Sequence, residues 1–387
     1  MAMSGIYLDH HSTAPLDPRV FDAMKPWLTE RFGNPHSESH QLGRNAAEAV
    51  ETARGQVAAL IGAEAREIVF TSGATEANNL AILGAARFLK GAKRRVVTVA
   101  TEHKCVLESC RALADDGYEV MVLGVRANGL VDLNELAAAI TPETALVSVM
   151  AANNEIGVLQ PIKEIAAIAH AKGALFHTDA AQAAGKIPLD VADVDLMSLS
   201  GHKLYGPMGI GALYVRRRPR VRLKPIFYGG GQERGLRSGT LPVAQCVGIG
   251  EAFAIAQAEG VTEARRVGAL RDHLQAKLLT AIPGAQVNGA NAARLPGNLN
   301  LSVPGVDALD LIGAVPDVAL STGSACTSAE VEPSYVLRAI GLDDATARAS
   351  LRFGVGRFNT EADIDRAAGL IAAAAARLRN KPKVAAG

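Results

Sequence analysis

Cysteine is scarce in this sequence: four residues in 387, Cys105, Cys110, Cys246 and Cys326, with no CxxC pair and no disulfide framework. Free thiols in a reducing, cytoplasmic setting are therefore expected. Charge of one sign is missing too. A net charge of +1 creates no field that would gather nucleic acid or an anionic membrane, so neither is expected as a partner. The local basic run VRRRPRVRLK (215–224) reads as a solvated strand or turn. No uninterrupted apolar stretch is long enough to span a bilayer. The first residues, MAMSGIYLDHHST, lack the charged and then apolar regions of a signal peptide. Repeats and low-complexity linkers are absent as well.

What is present is an ordinary globular composition, 49% hydrophobic and 20% charged. The length exceeds one typical domain, which favours a large core with a smaller second unit. Short β-rich runs occupy 67–72, 94–100, 118–124, 144–150, 174–180, 196–201 and 211–215. Helical patterns lie between several of them, as at 76–91 and 162–173, the latter stopping at a glycine. This alternation predicts an α/β fold with a mainly parallel sheet covered on both faces. GALYV (211–215) follows SLSGHK so closely that an antiparallel pairing is open to it. After about residue 250 the texture changes to a long helix over 261–282, short strands near 298–305 and a final helix over 360–379. Thr360 and Asp363 form a capping box at the start of that final helix.

The polar residues cluster where strands end. EIVF runs into TSGATEANN, VVTVA into TEHK, LVSVM into AANNEIG, ALFHT into DAAQ, and LMS into LSGHK. Ligands of open α/β sheets gather at the carboxyl ends of strands, so these five endings predict one crevice. TSGATE (71–76) turns into a helix, where free N–H groups and the hydroxyls of Thr71, Ser72 and Thr75 suit a phosphate; an ordinary helix cap is the alternative. It lacks the GK[ST] of a P-loop. Asp179 either holds a protonated ring nitrogen or caps the next helix. Lys203, in a Gly-Ser-Pro loop, is either solvated or placed to meet an aldehyde. A carboxylate, an amine and a phosphate cradle are together what pyridoxal 5′-phosphate requires. His103 suits stacking and proton transfer near neutrality. The pair His36/His40 has zinc spacing without supporting ligands, and no metal is expected. Cys326 sits among Ser, Thr, Gly and Ala, which suits a mobile loop carrying a reactive thiol. Either Arg352 or Arg357 could grip a carboxylate bidentately, a structural salt bridge being the alternative.

The segments YLDHHSTAPLDP, FGNPHSESH, FTSGATEANNLAI, TEHKCVLESC, NNEIGVLQP, HTDAAQAAGK, SGHKLYGPMGIGALYVRR, GGGQERGLRSGT and STGSACTSAEVEPSYVLRAIG occur in this order. Together they resemble the pyridoxal-phosphate-dependent cysteine desulfurases that feed iron-sulfur cluster assembly, within the class V aminotransferase-like family. The resemblance runs from about Ile6 to the final helix. It implies fold type I of the PLP-dependent transferases. Residues 15–255 would form the large cofactor-binding domain with a mainly parallel mixed sheet. Residues 1–14 and 256–387 would form a smaller α+β domain carrying the Cys326 loop.

The resemblance also assigns roles. Lys203 would form the Schiff base, Asp179 would partner the pyridinium and His103 would stack on the ring. Ala74, Thr75, Ser200 and His202 would cradle the phosphate, with Asn154 and Gln182 beside the ring. Thr240 would reach the phosphate of a second subunit, which implies a homodimer. Arg352 would bind the carboxylate of L-cysteine, with Asn154 nearby, and Cys326 would receive the sulfur for a protein acceptor such as an iron-sulfur scaffold. Two departures stand out: Ala14 lacks the family's usual hydroxyl, and Cys105 and Cys110 follow His103 where no thiols are expected. An NAD oxidoreductase is disfavoured because GGGQERG is not at a strand-to-helix turn.

Overall fold

The computed structural model describes residues 5–323 and 332–380, so Cys326 lies outside the described residues. Among the described residues twelve strands run in chain order: β1 Ile6–Tyr7, β2 Ile68–Thr71, β3 Arg95–Val99, β4 Glu119–Leu123, β5 Thr144–Ser148, β6 Leu175–Asp179, β7 Leu196–Ser200, β8 Gly211–Val215, β9 Gln286–Val287, β10 Asn298–Ser302, β11 Val318–Ala319 and β12 Ser350–Gly354. The α-helices are α1 Pro18–Thr29, α2 Gln41–Leu60, α3 Ala74–Leu89, α4 Lys104–Asp115, α5 Leu133–Ala139, α6 Ile162–Ala171, α7 Val243–Ala281, α8 Ala308–Ala314, α9 Tyr335–Ala339, α10 Asp344–Arg348 and α11 Glu361–Arg379.

All seven strands expected in the first two thirds of the chain join one sheet, in the order β2-β8-β7-β6-β5-β3-β4. The run from β7 through β4 is parallel, while β8 pairs antiparallel with both β7 and β2. GALYV therefore takes the antiparallel option. Because only β8 is reversed, β2, β3, β5, β6 and β7 all end on one edge. Successive side chains on a strand point to opposite faces. Val69, Val96, Leu146 and Leu196 accordingly pack with α3 and α4, whereas Phe70, Val97, Val147 and Met197 pack with α2, α6 and the first half of α7. A buried carboxylate anchors β2: Glu233 takes Arg54 in a two-pronged pair at 2.7 Å and the Phe70 N–H at 2.7 Å.

A second apolar cluster unites β1, β10, β12, the later turns of α7, α8 and α11. Here β10 lies between β9 and β12, both antiparallel to it, and β1 pairs with β11. The helix read at 261–282 begins 18 residues earlier and forms a single 39-residue element with the preceding segment. Gly260 lies inside this helix and serves close approach: a Cβ there would stand 2.9 Å from the Gly185 carbonyl. Final helix α11 starts as expected, with Thr360 and Asp363 exchanging backbone N–H bonds. Among the described residues no helix is long and apolar enough to cross a membrane.

Candidate active site

The five strand endings converge on one cavity of about 510 Å3. At the end of β2, Gly73 has a φ of 153°, which favours glycine, and no side chain caps α3. The first turn of that helix, Ala74 and Thr75, therefore faces the cavity with open N–H groups, opposite Ser200 and His202. The Ser72 N–H is already committed to Glu76 at 2.8 Å, and Arg237 holds the same carboxylate at 2.9 Å. The expectation for Thr71 fails. Its hydroxyl donates to the Gly73 carbonyl at 3.0 Å and fastens the turn from behind.

Asp179 closes β6 and is buried. One oxygen accepts the Ala181 N–H at 2.9 Å and the other accepts from Asn78 Nδ2 at 2.7 Å, so the carboxylate both caps the next turn and faces the cavity. His103 is the N-cap of α4, its Nδ1 accepting the Cys105 N–H at 3.2 Å. Burial pulls its pKa below the usual imidazole range; Asp179 opposes this, and Lys203 and Lys104 reinforce it. His202, against the Thr13 hydroxyl at 3.0 Å, is pulled down to about 4 by burial, then by Lys203 and Lys186.

Lys203 follows β7 in a loop that two glycines allow to tighten. A Cβ on Gly201 would stand 2.9 Å from the Pro207 carbonyl, and one on Gly206 would stand 2.9 Å from the Gly201 carbonyl. The Lys203 ammonium donates to the His11 carbonyl at 3.0 Å and to that of Ser12. The N-terminal segment thereby wraps the site. Gln182 lines the same wall, its amide tied to His11 by an Nε2 bond to the carbonyl at 2.8 Å and an Oε1 contact to Nδ1 at 3.1 Å.

The two candidate arginines separate cleanly. Arg352, on β12, lines the cavity; it pairs with Asp9 at 2.8 Å and donates to the Asn154 carbonyl at 3.2 Å. Its Nε and the Asn154 Oδ1 are buried with no protein partner among the described residues. Arg357 instead binds Asp17 at 2.6 Å and Glu263 at 2.7 Å, outside the cavity, and is structural. Thr240 is exposed and does not line the cavity of its own chain. His40 caps α2 through Nδ1, accepting the Gly43 N–H at 3.1 Å. The reading missed His11, Ser12 and Asn78. Asn78 carried a faint signal, a polar residue amid the apolar run of α3.

An uncapped helix start beside Ser200 and His202, a carboxylate on the floor, a lysine on the wall and two orphaned polar atoms at Arg352 and Asn154 fit pyridoxal phosphate and an amino-acid substrate. The aminotransferase class-V model matches residues 6–367. The chain belongs to this family. It is 54% identical over 377 residues to the cysteine desulfurase IscS of Rickettsia bellii, covering 97% of this chain and 92% of that one. A solved NifS-like protein superposes with a TM-score of 0.89 at 35% identity, covering 95% of this chain and 98% of its own. The structure of SspA in complex with cysteine gives a TM-score of 0.80 at 36% identity, over 92% of this chain and all 100% of that one. Members of the class-V family to which this chain belongs are PLP-dependent, and pyridoxal 5′-phosphate is its cofactor.

Proposed function

We propose that the protein is a cysteine desulfurase that converts L-cysteine to L-alanine and passes the sulfur, held as a persulfide on Cys326, to an acceptor for iron-sulfur cluster assembly. The observation that carries this reading is the meeting of Lys203, Asp179, His103, the open start of α3 and Arg352 in one cavity. Bound pyridoxal phosphate supplies a sink for the electrons released at the substrate α-carbon. Ala74, Thr75, Ser200 and His202 would hold its phosphate, Asp179 would partner the ring nitrogen, His103 would stack on the ring, and Asn154 and Gln182 would stand beside it. Lys203 would hold the aldehyde and, as a free amine, would move the substrate α-proton. The Cys326 thiolate attacks the substrate sulfur: the Cβ–S bond breaks, an S–S bond forms, and the Cβ gains a proton. Cysteine and enzyme thiol thus become alanine and enzyme persulfide with no outside oxidant.

Exposed Thr240 fits a phosphate contact to a second copy, which supports a homodimer. The two apolar clusters support a division into 15–255 and 1–14 with 256–387, α7 being shared between them. The free thiols at Cys105, Cys110 and Cys246 support a reducing, cytoplasmic setting.

Incubating the holoenzyme with L-cysteine and a thiol reductant is expected to yield alanine and sulfide in equal amounts. A keto acid in place of alanine would mean an aminotransferase. A colourless protein that still carries sulfur would mean a scaffold without the cofactor. Replacing Arg352 by Ala is expected to raise the KM for cysteine about 10- to 100-fold, the worth of a charge-assisted contact to the carboxylate, with kcat affected less. Arg352→Lys should recover only part, because an ammonium lacks the planar fork. An unchanged KM in steady-state kinetics removes Arg352 from the substrate site.

A further inference from the structure

Cys105 lines the cavity two residues from His103, and the reaction described above gives it no task. The chemistry of its neighbours sets the direction of each hydrogen bond around it. A carboxylate only accepts, so Asn78 turns Nδ2 toward Asp179, 2.7 Å from Oδ2. The same Nδ2 lies 3.2 Å from Cys105 Sγ and offers its second hydrogen to the sulfur. On the other side, Sγ stands 3.0 Å from Nδ1 of His103. The Cys105 backbone N–H donates to that same Nδ1 at 3.2 Å, and an N–H can only donate. Nδ1 therefore presents a lone pair, the ring proton sits on Nε2, and the thiol is left to donate.

We propose that Asn78 and Cys105 are positioning residues for His103: a chain of donors running from Asn78, fixed by Asp179, through the Cys105 thiol to Nδ1 holds the imidazole in its Nε2–H tautomer and opposes its protonation. The inference rests on the role given to His103 above and deepens it. Protonating Nδ1 would set its new hydrogen against the Cys105 N–H and S–H together. Burial, with Asp179 adding to it, pushes the Cys105 thiol up to about 12, so the sulfur keeps its hydrogen throughout the neutral range. The Thr75 side chain, which also reaches the sulfur, is a hydroxyl and can donate to it. The charged groups facing His103 are Asp179 on β6, which favours its protonation, and Lys203 after β7 and Lys104 on α4, which oppose it.

The test is a pH series of long-range 1H–15N NMR spectra of the 15N-histidine-labelled holoenzyme, with His103 assigned as the signal lost in His103→Gln. The wild-type protein is expected to show Nε2 protonated and Nδ1 bare. Cys105→Ala keeps the backbone N–H, so the tautomer persists, but the protonation midpoint rises by about half a pH unit, roughly threefold in the binding constant. Cys105→Ser, with a hydroxyl donor, brings it back. A wild-type Nδ1–H pattern overturns the proposal. So does an unmoved midpoint in Cys105→Ala, or a serine variant that behaves like alanine. His103→Gln with undiminished turnover would overturn the role of His103 in the reaction, a failure legible apart from the tautomer.

Discussion

Replacing Lys203 by Ala is expected to abolish borohydride trapping of the cofactor, change its visible absorption and lower desulfuration by about four orders of magnitude. The size follows from two losses in one substitution, the amine that holds the aldehyde and the base that moves the α-proton. Another lysine is close enough to invite substitution. Lys186 is half-buried, and desolvation followed by the charge of Lys203 pushes its pKa down to about 7, so much of it is a neutral amine. It lines a separate, smaller pocket of about 30 Å3 shared with Lys203, His10 and His11, and not the 510 Å3 cavity. Of the two, Lys203 is the one that lines the cavity that would take the aldehyde. Lys203→Arg should fare no better, since a guanidinium does not deprotonate. The check is peptide mapping after borohydride reduction with tritium. Label on Lys203 in the wild type and none in the variant is the expected result; label retained at any other lysine of the variant removes Lys203 from its role.

That Lys203 could be singled out at all reflects which features are local. The strand-helix alternation is a pattern of neighbouring residues, so the seven strands of the main sheet were legible, and their carboxyl ends located the cavity. Asp179, His103 and Lys203 each sit at or shortly after the end of a strand, where local punctuation is informative. The N-terminal wall was not legible for the opposite reason. Lys203 meets the His11 carbonyl across 192 residues of chain, and no local signal encodes that meeting. Arg352 and Arg357 look alike in SLRFGVGRF, and only the third dimension gives one a cavity and the other two carboxylates. The helix read at 261–282 starts 18 residues earlier, and Gly260 lies inside it because its absent side chain allows the close approach of Gly185. Thr71 misled in a similar way: a hydroxyl in a phosphate-like turn satisfied its own backbone instead.

Replacing Cys326 by Ala is expected to leave cofactor and cysteine binding intact and to cut persulfide formation roughly a thousandfold, because the other thiols cannot take its place. Attack on the substrate sulfur needs a thiolate. Cys105, Cys110 and Cys246 are each pushed up to about 12, with burial the largest cause in every case. At pH 8 a thiol titrating there is ionised on the order of once in 10^4 molecules, against about one in four for an unperturbed thiol. Cys110 and Cys246 are also shut inside apolar clusters, so of these three only Cys105 touches the cavity. Its sulfur is engaged on two sides by Asn78 and His103. Mass spectrometry of the alkylated protein after one turnover with L-cysteine should find the added sulfur on Cys326 in the wild type and in Cys105→Ala alike. An undiminished persulfide in Cys326→Ala, mapped to Cys105, would mean that the cavity lowers that thiol's pKa when substrate enters. The assignment of the sulfur acceptor would then pass from Cys326 to Cys105, in the first turn of α4.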